Sequence, residues 1–406
     1  MPIHNHKSGV RVLHVVGESR FGGAATIILG LCRVARAEGW QADILTTDPT
    51  FQQAVAQQGF GLVNLDVIRR EIRPLWDSRG LLRLVRFLRR QRYDIVHTHT
   101  SKGGFVGRLA ARLAGVPTIV HTVHGFAFHE SSPLWICGLY SRLERIASRW
   151  CDRIVSVSEF HRDWAIGLEM CSPAQIVAIP NGIAEPRRNP DLTVADVRSR
   201  LGLAQDDLMI LNVSRLAKDK GLEYLIEAAR MLPNTRRRIR VAIAGDGPAR
   251  QDLERLAQSR GVTGRVMFLG FRGDVADLLA ACDIVALPSL REGLSISLLE
   301  AMAARKPIVA SSIGSQREVA YHGEMALFVP PADSRALCQA ILRLAEDPAL
   351  LIRLGASARA VYEHNYTENR MLQSYRQLYL DLVRMSRNEA TCEELAAVPY
   401  QPKGSI

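Results

Sequence analysis

The feature that most limits what this chain can become is a rhythm. Short apolar, β-branched runs alternate with longer stretches of helical periodicity, and the series runs through once and then starts again. In the first half Val10–Val16, Ala42–Thr46, Leu62–Val67, Ile95–His99, Thr118–Thr122, Arg153–Ser158 and Ile176–Ile179 read as strands. In the second half Met209–Val213, Arg240–Ala244, Val266–Leu269, Ile284–Leu287, Ile308–Ala310 and Leu327–Val329 do. Helical patterns such as Ala24 to Glu38 fill the intervals. Strand, helix, strand at this spacing implies a parallel sheet covered on both faces, so the expected class is α/β, with two doubly wound units. Ala184 to Asp207, holding Pro186, Pro190 and mostly polar residues, reads as the linker. The expected domains are residues 1–195 and 196–365, then a last helix over 366–385 returning to the first domain, and a frayed tail over 386–406.

In open parallel sheets ligands sit beyond the carboxyl ends of the strands, so the residues just after each strand are the ones to read. Gly22-Gly23 follows the first strand and precedes a helix, where backbone amides can approach an anion. The segment is not Gly-x-Gly-x-x-Gly, so a dinucleotide fingerprint is missing. His97-Thr98-His99-Thr100-Ser101-Lys102-Gly103-Gly104 ends one strand, and His121-Thr122-Val123-His124-Gly125 ends the next. No carboxylate or cysteine completes a ligand set there, so no metal is expected. Ser214 to Gly221 leaves the first strand of the second half with the planar fork of Arg215 and the point charge of Lys220, a pairing that suits a diphosphate. Glu292-Gly293-Leu294-Ser295 leads into a helix that carries Glu300 among Ile296, Leu298, Leu299, Ala301 and Met302. A carboxylate in such surroundings needs a partner, and ligand hydroxyls can supply one. Each feature alone also has a plain reading: a tight turn, structural histidines, exposed loop charges, helix-surface carboxylates.

Charge narrows the partners. The chain carries a net +11, and its first 195 residues hold 24 Lys and Arg against 16 Asp and Glu. Arg69, Arg70, Arg73, Arg79, Arg83, Arg86, Arg89, Arg90 and Arg92 crowd one segment, interleaved with Ile68, Trp76, Leu84 and Leu88. A basic amphipathic stretch suits nucleic acid, an anionic bilayer or plain solvent. No helix-turn-helix, zinc-finger or RNP signature accompanies it, so no nucleic acid is expected. Cys32, Cys137, Cys151, Cys171, Cys282, Cys338 and Cys392 are never spaced Cys-x-x-Cys, which points to free thiols in a reducing compartment. No apolar run reaches the roughly 18 residues of a membrane span. The opening Met-Pro-Ile-His-Asn-His-Lys has no apolar run of a secretory leader, so a cytoplasmic chain is expected.

Taken in order, several segments resemble a known family. They are Ile-Pro-Asn-Gly-Ile (179–183), Ser-Arg-Leu-Ala-Lys-Asp-Lys-Gly (214–221), Ala-Gly-Asp-Gly-Pro (244–248), Phe-Leu-Gly-Phe (268–271) and Glu292-x7-Glu300, continuing Leu-Glu-Ala-Met-Ala (299–303). Over most of residues 10 to 380 they resemble family 4 of the retaining glycosyltransferases with the GT-B fold. The resemblance implies two Rossmann-like domains facing across a cleft and a nucleotide-sugar donor, UDP before GDP. It places Glu300 on the ribose, and Glu292 with the amides of Gly293, Leu294 and Ser295 on the transferred sugar and its phosphate. Arg215 and Lys220 would grip the diphosphate leaving group, Gly22 and Gly23 would face that diphosphate or the acceptor, and His124 would reach the donor sugar near the reacting carbon. The departing phosphate would take the acceptor's proton on the same face, with no cofactor and no metal, in keeping with the missing Asp-x-Asp.

The segments 97–108 and 121–126 are similar to bacterial enzymes that extend lipid-diphosphate-linked sugars for surface polysaccharides. That likeness implies acceptor contacts from His97, His99, Lys102 and Arg108. It also gives the Arg69–Arg92 segment an anionic membrane to rest on, at the inner face of the cytoplasmic membrane. Two positions depart from the family pattern. Arg305 stands where glycine often precedes Lys-Pro, and Ser315 where a second glycine is common. Neither is expected to touch the charged set. Rival readings are a UDP-sugar 2-epimerase of the same fold, a silent sugar-nucleotide-binding partner protein, and a nicotinamide enzyme. The intact set Arg215, Lys220, Glu292 and Glu300 argues against the silent partner, and the missing fingerprint against the nicotinamide enzyme.

Overall fold

The computed structural model describes residues 9–17, 22–69, 73–129, 132–233 and 237–387. Arg70, Cys392 and the tail from residue 388 lie outside the described residues. The chain forms two compact units. The first takes its described residues from 1–157, 161–179 and 371–406, the second from 158–160 and 180–370. Residues 180–195, read from the sequence with the first domain, therefore pack with the second, where the Asn189 amide donates to the Asp277 carboxylate at 3.1 Å.

The first unit runs β1 (Arg11–Gly17), α1 (Gly23–Ala37), β2 (Gln41–Thr46), α2 (Pro49–Gln57), β3 (Gly61–Val63), α3 (Pro74–Gln91) and β4 (Ile95–His99). It continues with α4 (Ser101–Ala114), β5 (Thr118–Val123), α5 (Leu134–Ser148), β6 (Arg153–Ser156), α6 (Glu159–Gly167) and β7 (Ile176–Ala178). The strands make a seven-stranded parallel sheet in the order β3-β2-β1-β4-β5-β6-β7. The expected strand Leu62–Val67 shortens to Gly61–Val63 because it is an edge strand: the Leu65 amide turns back to the Val63 carbonyl at 3.1 Å and ends the ladder.

In the second unit α7 (Val194–Arg200) precedes β8 (Leu208–Val213), α8 (Leu222–Met231), β9 (Ile239–Ala244), α9 (Arg250–Ser259) and β10 (Val266–Gly270). Then come α10 (Val275–Ala281), β11 (Ile284–Leu287), α11 (Ile296–Ala303), β12 (Ile308–Ser311), α12 (Gly314–Val319), β13 (Ala326–Val329), α13 (Ser334–Glu346) and α14 (Pro348–Asn365). The last helix, α15 (Glu368–Ser386), has its residues from Met371 onward in the first unit. The six strands are ordered β10-β9-β8-β11-β12-β13. Fully buried Ile210, Leu225, Val241, Ile284 and Ile341 lie at the centre of this unit's core, each contributing about 1.5–3 kcal/mol by burial. The stretch read as a linker contains α7, which a reciprocal Thr193–Asp196 capping box starts and the buried Arg198 anchors on the Ala281 carbonyl at 2.8 Å.

Pleat and packing sort the first unit's polar residues onto two faces. His14, His97, His99 and Thr122 share one side of the sheet, because His14 pairs with His97 and His99 with Thr122 in parallel register. Thr98 and His121 share the other, beneath α4. Gly103 and Gly104, read as loop residues, lie inside α4. With Gly107 they leave a bare stripe, since a Cβ at Gly104 would fall 2.3 Å from the His121 ring and one at Gly107 2.7 Å from the Thr98 methyl. On the opposite side α15 brings the fully buried Tyr375 and Tyr379.

Each sheet reverses its strand order once, between β1 and β4 and between β8 and β11. The loops after β8, β9 and β10 are tied together: Leu216 N donates to Asp246 O at 3.0 Å and Gly245 N to Gly270 O at 2.7 Å. Gly245 holds φ +140°, and a Cβ there would sit 1.9 Å from the Ser214 carbonyl. Gly245→Ala should therefore lower stability by about 2 kcal/mol or more, read as a lower urea midpoint. An unchanged midpoint would show that this junction yields easily.

Candidate functional site

In the second unit the charged loops leave from β8 and β11, the two strands flanking the reversal. After β8 a single 3₁₀ turn, Lys218–Lys220, delivers Lys220 just ahead of α8. Its Nζ donates to Glu292 Oε1 at 2.6 Å, and the Ser289 hydroxyl donates to the same oxygen at 2.8 Å. Both ends of the ion pair are mostly covered, with 17% and 12% of their side chains exposed. Arg215 is more open and lies 3.3 Å from the Asp219 carboxylate. The Asp219 carbonyl in turn accepts from the Leu290 amide at 2.9 Å, so the two loops brace each other.

Gly293 and Leu294 lead into Ser295, which caps α11 by accepting from the Leu298 amide at 3.4 Å. One turn into that helix stands Glu300. Burial pushes its carboxyl up to about 7, and among the described residues its side chain has no hydrogen-bond or ion-pair partner. Ser315 corrects the sequence reading: its hydroxyl donates to the Glu292 carbonyl at 3.1 Å, so this departure from the family pattern does touch the charged set. Arg305 holds φ +56°, the left-handed conformation that glycine adopts without penalty. Lys220, Arg215 and the N-termini of α8 and α11 are the kinds of group that favour an anion, and α11 adds an unpaired carboxyl, a group that accepts from hydroxyls.

In the first unit the reversal strands carry histidines. His97 is fully buried, with Nδ1 2.6 Å from Tyr379 OH and Nε2 2.7 Å from Thr122 Oγ1. The Tyr375 hydroxyl completes this interior network, 3.2 Å from Thr122 Oγ1. His99, also fully buried, has both ring nitrogens against other imidazoles, His14 and His124, at 3.1 Å each. Arg108 is buried in α4, donating from Nε to the Gly104 carbonyl at 3.0 Å and from Nη2 to Glu144 at 2.8 Å. The expected acceptor contacts from His97, His99 and Arg108 do not fit this burial; these side chains brace the interior instead. Lys102 is partly exposed and pairs with Asp77 of α3 at 2.8 Å. Exposed Gly22 opens α1 with no side-chain cap, and Gly23 is its first residue. His124 is half-buried just beyond β5.

Sequence reading missed several participants: His14, Asp219, Ser289, Tyr375 and Tyr379. Of these only His14, a lone imidazole in the apolar run Val12–Val16, left a signal. The backbone strain at Thr100 left none. This residue holds φ +62° at the β4 exit, steadied by its hydroxyl on the Val16 carbonyl at 3.1 Å.

Two family models match the chain: one described as a glycosyl transferase 4-like domain, over residues 22–182, and one as glycosyl transferases group 1, over residues 194–361. Among curated proteins the chain is 31% identical over 322 residues to the UDP-Gal:alpha-D-GlcNAc-diphosphoundecaprenol alpha-1,3-galactosyltransferase of Escherichia coli, spanning 77% of this chain and 82% of that protein. It is also 31% identical over 321 residues to the alpha-D-kanosaminyltransferase of Streptomyces kanamyceticus, spanning 72% and 79%. Among solved structures, the Anabaena protein HepE in complex with UDP-glucose matches with a TM-score of 0.79 at 23% identity, covering 91% of this chain and 99% of that one. That likeness shows the fold: two Rossmann-like α/β domains of the GT-B kind.

The buried imidazoles make the first unit acid-sensitive. Burial lowers His14 to about 3 and His124 to about 4, and holds His97, His99 and His121 well below the usual histidine range. In the unfolded chain they take protons near pH 6.5, so below that pH the unfolded state binds more protons and stability falls as pH drops toward 4. At pH 5 each fully buried histidine should cost about 2 kcal/mol relative to pH 8. The Asp152 carboxyl, raised by desolvation, opposes the trend, one group against five. All five tryptophans (Trp40, Trp76, Trp135, Trp150, Trp164) lie in the first unit, so intrinsic fluorescence reports on it alone. Its urea midpoint should fall steeply between pH 7 and pH 5; equal midpoints would contradict neutral buried histidines.

Proposed function

The chain belongs to the group 1 glycosyl transferases, and from that premise we propose that it moves a sugar, with retention of configuration, from a nucleotide-diphosphate sugar to a lipid-linked sugar acceptor. The observation that carries the donor half is the arrangement off β8 and β11: Lys220, Arg215 and two helix N-termini, together with the unpaired carboxyl of Glu300. UDP is the favoured nucleotide. The Escherichia coli relative is named for a UDP-galactose donor and a diphosphoundecaprenol-linked acceptor, and the Anabaena protein was solved with UDP-glucose.

The residues divide the work as follows. Breaking a glycosyl–phosphate bond requires negative charge to be stabilised on the departing diphosphate, which Arg215, Lys220 and the helix dipoles do. Lys220 is held in place for this by Glu292, which with the amides of Gly293, Leu294 and Ser295 also takes the transferred sugar. Glu300 ionises on binding and accepts from the ribose hydroxyls. His124 contacts the substrate sugar, while Lys102, Gly22 and Gly23 serve the acceptor's phosphates. The departing phosphate takes the acceptor's proton, so the proposal assigns no step to a metal, a cofactor or a protein nucleophile.

A bilayer-bound acceptor gives α3 and α5 a purpose. Arg79, Arg83, Arg86 and Arg90 are exposed on α3, although Arg70 of the same basic segment lies outside the described residues. On α5 Leu134 and Trp135 are 90% and 71% exposed, with Leu139 and Ile146 further along. No helix of the described residues is long and apolar enough to cross a membrane. Basic and exposed apolar helices together support peripheral association with an anionic, cytoplasmic leaflet.

The direct test is incubation with a panel of UDP- and GDP-sugars and a lipid-diphosphate-linked sugar, reading the anomeric configuration of the product. An α-linked product from an α-configured donor is expected. Epimerisation of the donor without acceptor, or nucleotide binding without turnover, would overturn the proposal in favour of a rival. Because Glu300 must ionise, UDP should bind about tenfold more tightly at pH 8 than at pH 6, by calorimetry. Glu300→Gln should weaken binding and flatten that dependence; a flat wild-type profile would remove Glu300 from the ribose. Replacing Arg79, Arg83, Arg86 and Arg90 with glutamate should abolish co-sedimentation with phosphatidylglycerol vesicles, at about 1 kcal/mol per arginine removed. Undiminished sedimentation would rule α3 out of the contact.

A further inference from the structure

We propose that His14 and His99 lock the tautomer of His124, so that His124 meets the substrate as an obligate hydrogen-bond donor through Nδ1. The inference rests on the glycosyltransferase reading of His124 and adds two positioning residues to it.

Three imidazoles stand in a row. His14 Nδ1 lies 3.1 Å from His99 Nε2, and His99 Nδ1 lies 3.1 Å from His124 Nε2. The rings are nearly parallel, His14 with His99 at 24° and His99 with His124 at 26°. A neutral imidazole carries one N–H and one lone pair, so each link holds one proton and its direction propagates through the row. Only two coherent arrangements exist. Either every proton points outward and His124 Nδ1 carries a hydrogen, or every proton points inward and His124 Nδ1 is a bare lone pair.

The inner end decides between them. His14 Nε2 is buried and has no hydrogen-bond partner. Outward order leaves a lone pair at that atom; inward order leaves an unpaired N–H there. Buried orphan N–H groups are rarer in proteins than under-satisfied acceptors, so outward order is favoured. At the outer end His124 Nδ1 has no protein partner among the described residues. It faces a ligand as N–H, matched to a sugar hydroxyl or phosphate oxygen and mismatched to a cation.

Two alternatives use the same atoms. A proton conduit needs an exit, and this row ends at a sealed atom. A metal held by His14, His97 and His99, whose ring nitrogens approach within 4.8 Å of one another, would have to displace the bonds that already occupy both nitrogens of His97 and of His99.

The test is long-range ¹H–¹⁵N correlation of histidine side chains in the full-length protein, labelled with ¹⁵N-histidine. The His124 signals are identified by their loss in His124→Gln. The wild-type protein should show His124 protonated at Nδ1, and this measurement needs no further variant. His14→Asn, whose amide can still donate to His99 Nε2, should keep that tautomer and most of the activity. His14→Leu should give a mixture of tautomers and reduce kcat/KM about tenfold, the value of one lost hydrogen bond. His124 protonated at Nε2 in the wild type would overturn the lock, as would metal-shifted signals from His14 and His99 with stoichiometric zinc in the purified protein. Since the tautomer is read without substrate, an Nδ1–H form in a protein that binds neither UDP nor GDP would sink the substrate role proposed for His124 and leave the lock standing.

Discussion

Each sheet winds outward from a central pair of strands, and the chemistry of the chain follows from where the winding reverses. Parallel strands joined by right-handed crossovers leave helices on one face while the order runs one way and on the other face when it runs back. At the reversal two neighbouring strands send their loops apart, and the carboxyl ends between them stay uncovered. In the second unit those strands are β8 and β11, which deliver Lys220 and Glu292 to within 2.6 Å although they are 72 residues apart. In the first they are β1 and β4, which bring together His14 and His99, 85 residues apart. Neither pair is a motif in the sequence. Both are consequences of winding direction.

The pleat then sorts what the winding gathers. Because neighbouring side chains on a strand point to opposite faces, Thr98 and its flanking histidines separate completely. His97 and His99 meet His14 and the tyrosines of α15, whereas Thr98 meets His121 under the glycine stripe of α4. A segment that reads as one polar loop, His-Thr-His-Thr, is thus two interiors back to back, reaching solvent only past its end. Desolvation keeps every imidazole in it neutral. Neutrality is also what allows a row of imidazoles to carry a direction instead of a charge.

Winding and pleat together determine what was legible in the sequence. Strands buried on both faces must be apolar throughout, so β8, β11 and β12 stand out as short runs, and their count and order of appearance give the fold class. Edge strand β3 and helix α7 were harder. One is cut short by a local turn, and the other is held by a buried arginine in a polar stretch. At the site, Lys220, Glu292 and Glu300 were visible because a charge directly after a strand, or inside an apolar helix, is costly to keep unless something binds it. His97, His99 and Arg108 were misjudged for one reason: residue type does not show whether a polar side chain points into the crevice or into the protein. Their partners, Tyr379 and Glu144, come from distant segments that leave no local trace.

That distinction also separates the polar atoms that can serve a ligand from those that cannot. The Glu300 carboxyl, His14 Nε2 and Arg108 Nη1 all stand without partners among the described residues. Each penalises the folded state, since a buried group that forgoes its hydrogen bond forfeits about 1–3 kcal/mol. Arg108 Nη1 and His14 Nε2 are sealed, so no ligand can relieve them; what they retain is orientation of the groups they are tied to. Glu300 lies one helical turn from the N-terminus of α11, the helix that Glu292 leads into, and is only partly covered. An unmet hydrogen bond becomes binding energy only where a path to it exists, and that separates the partly covered carboxyl of Glu300 from the sealed imidazole nitrogen of His14.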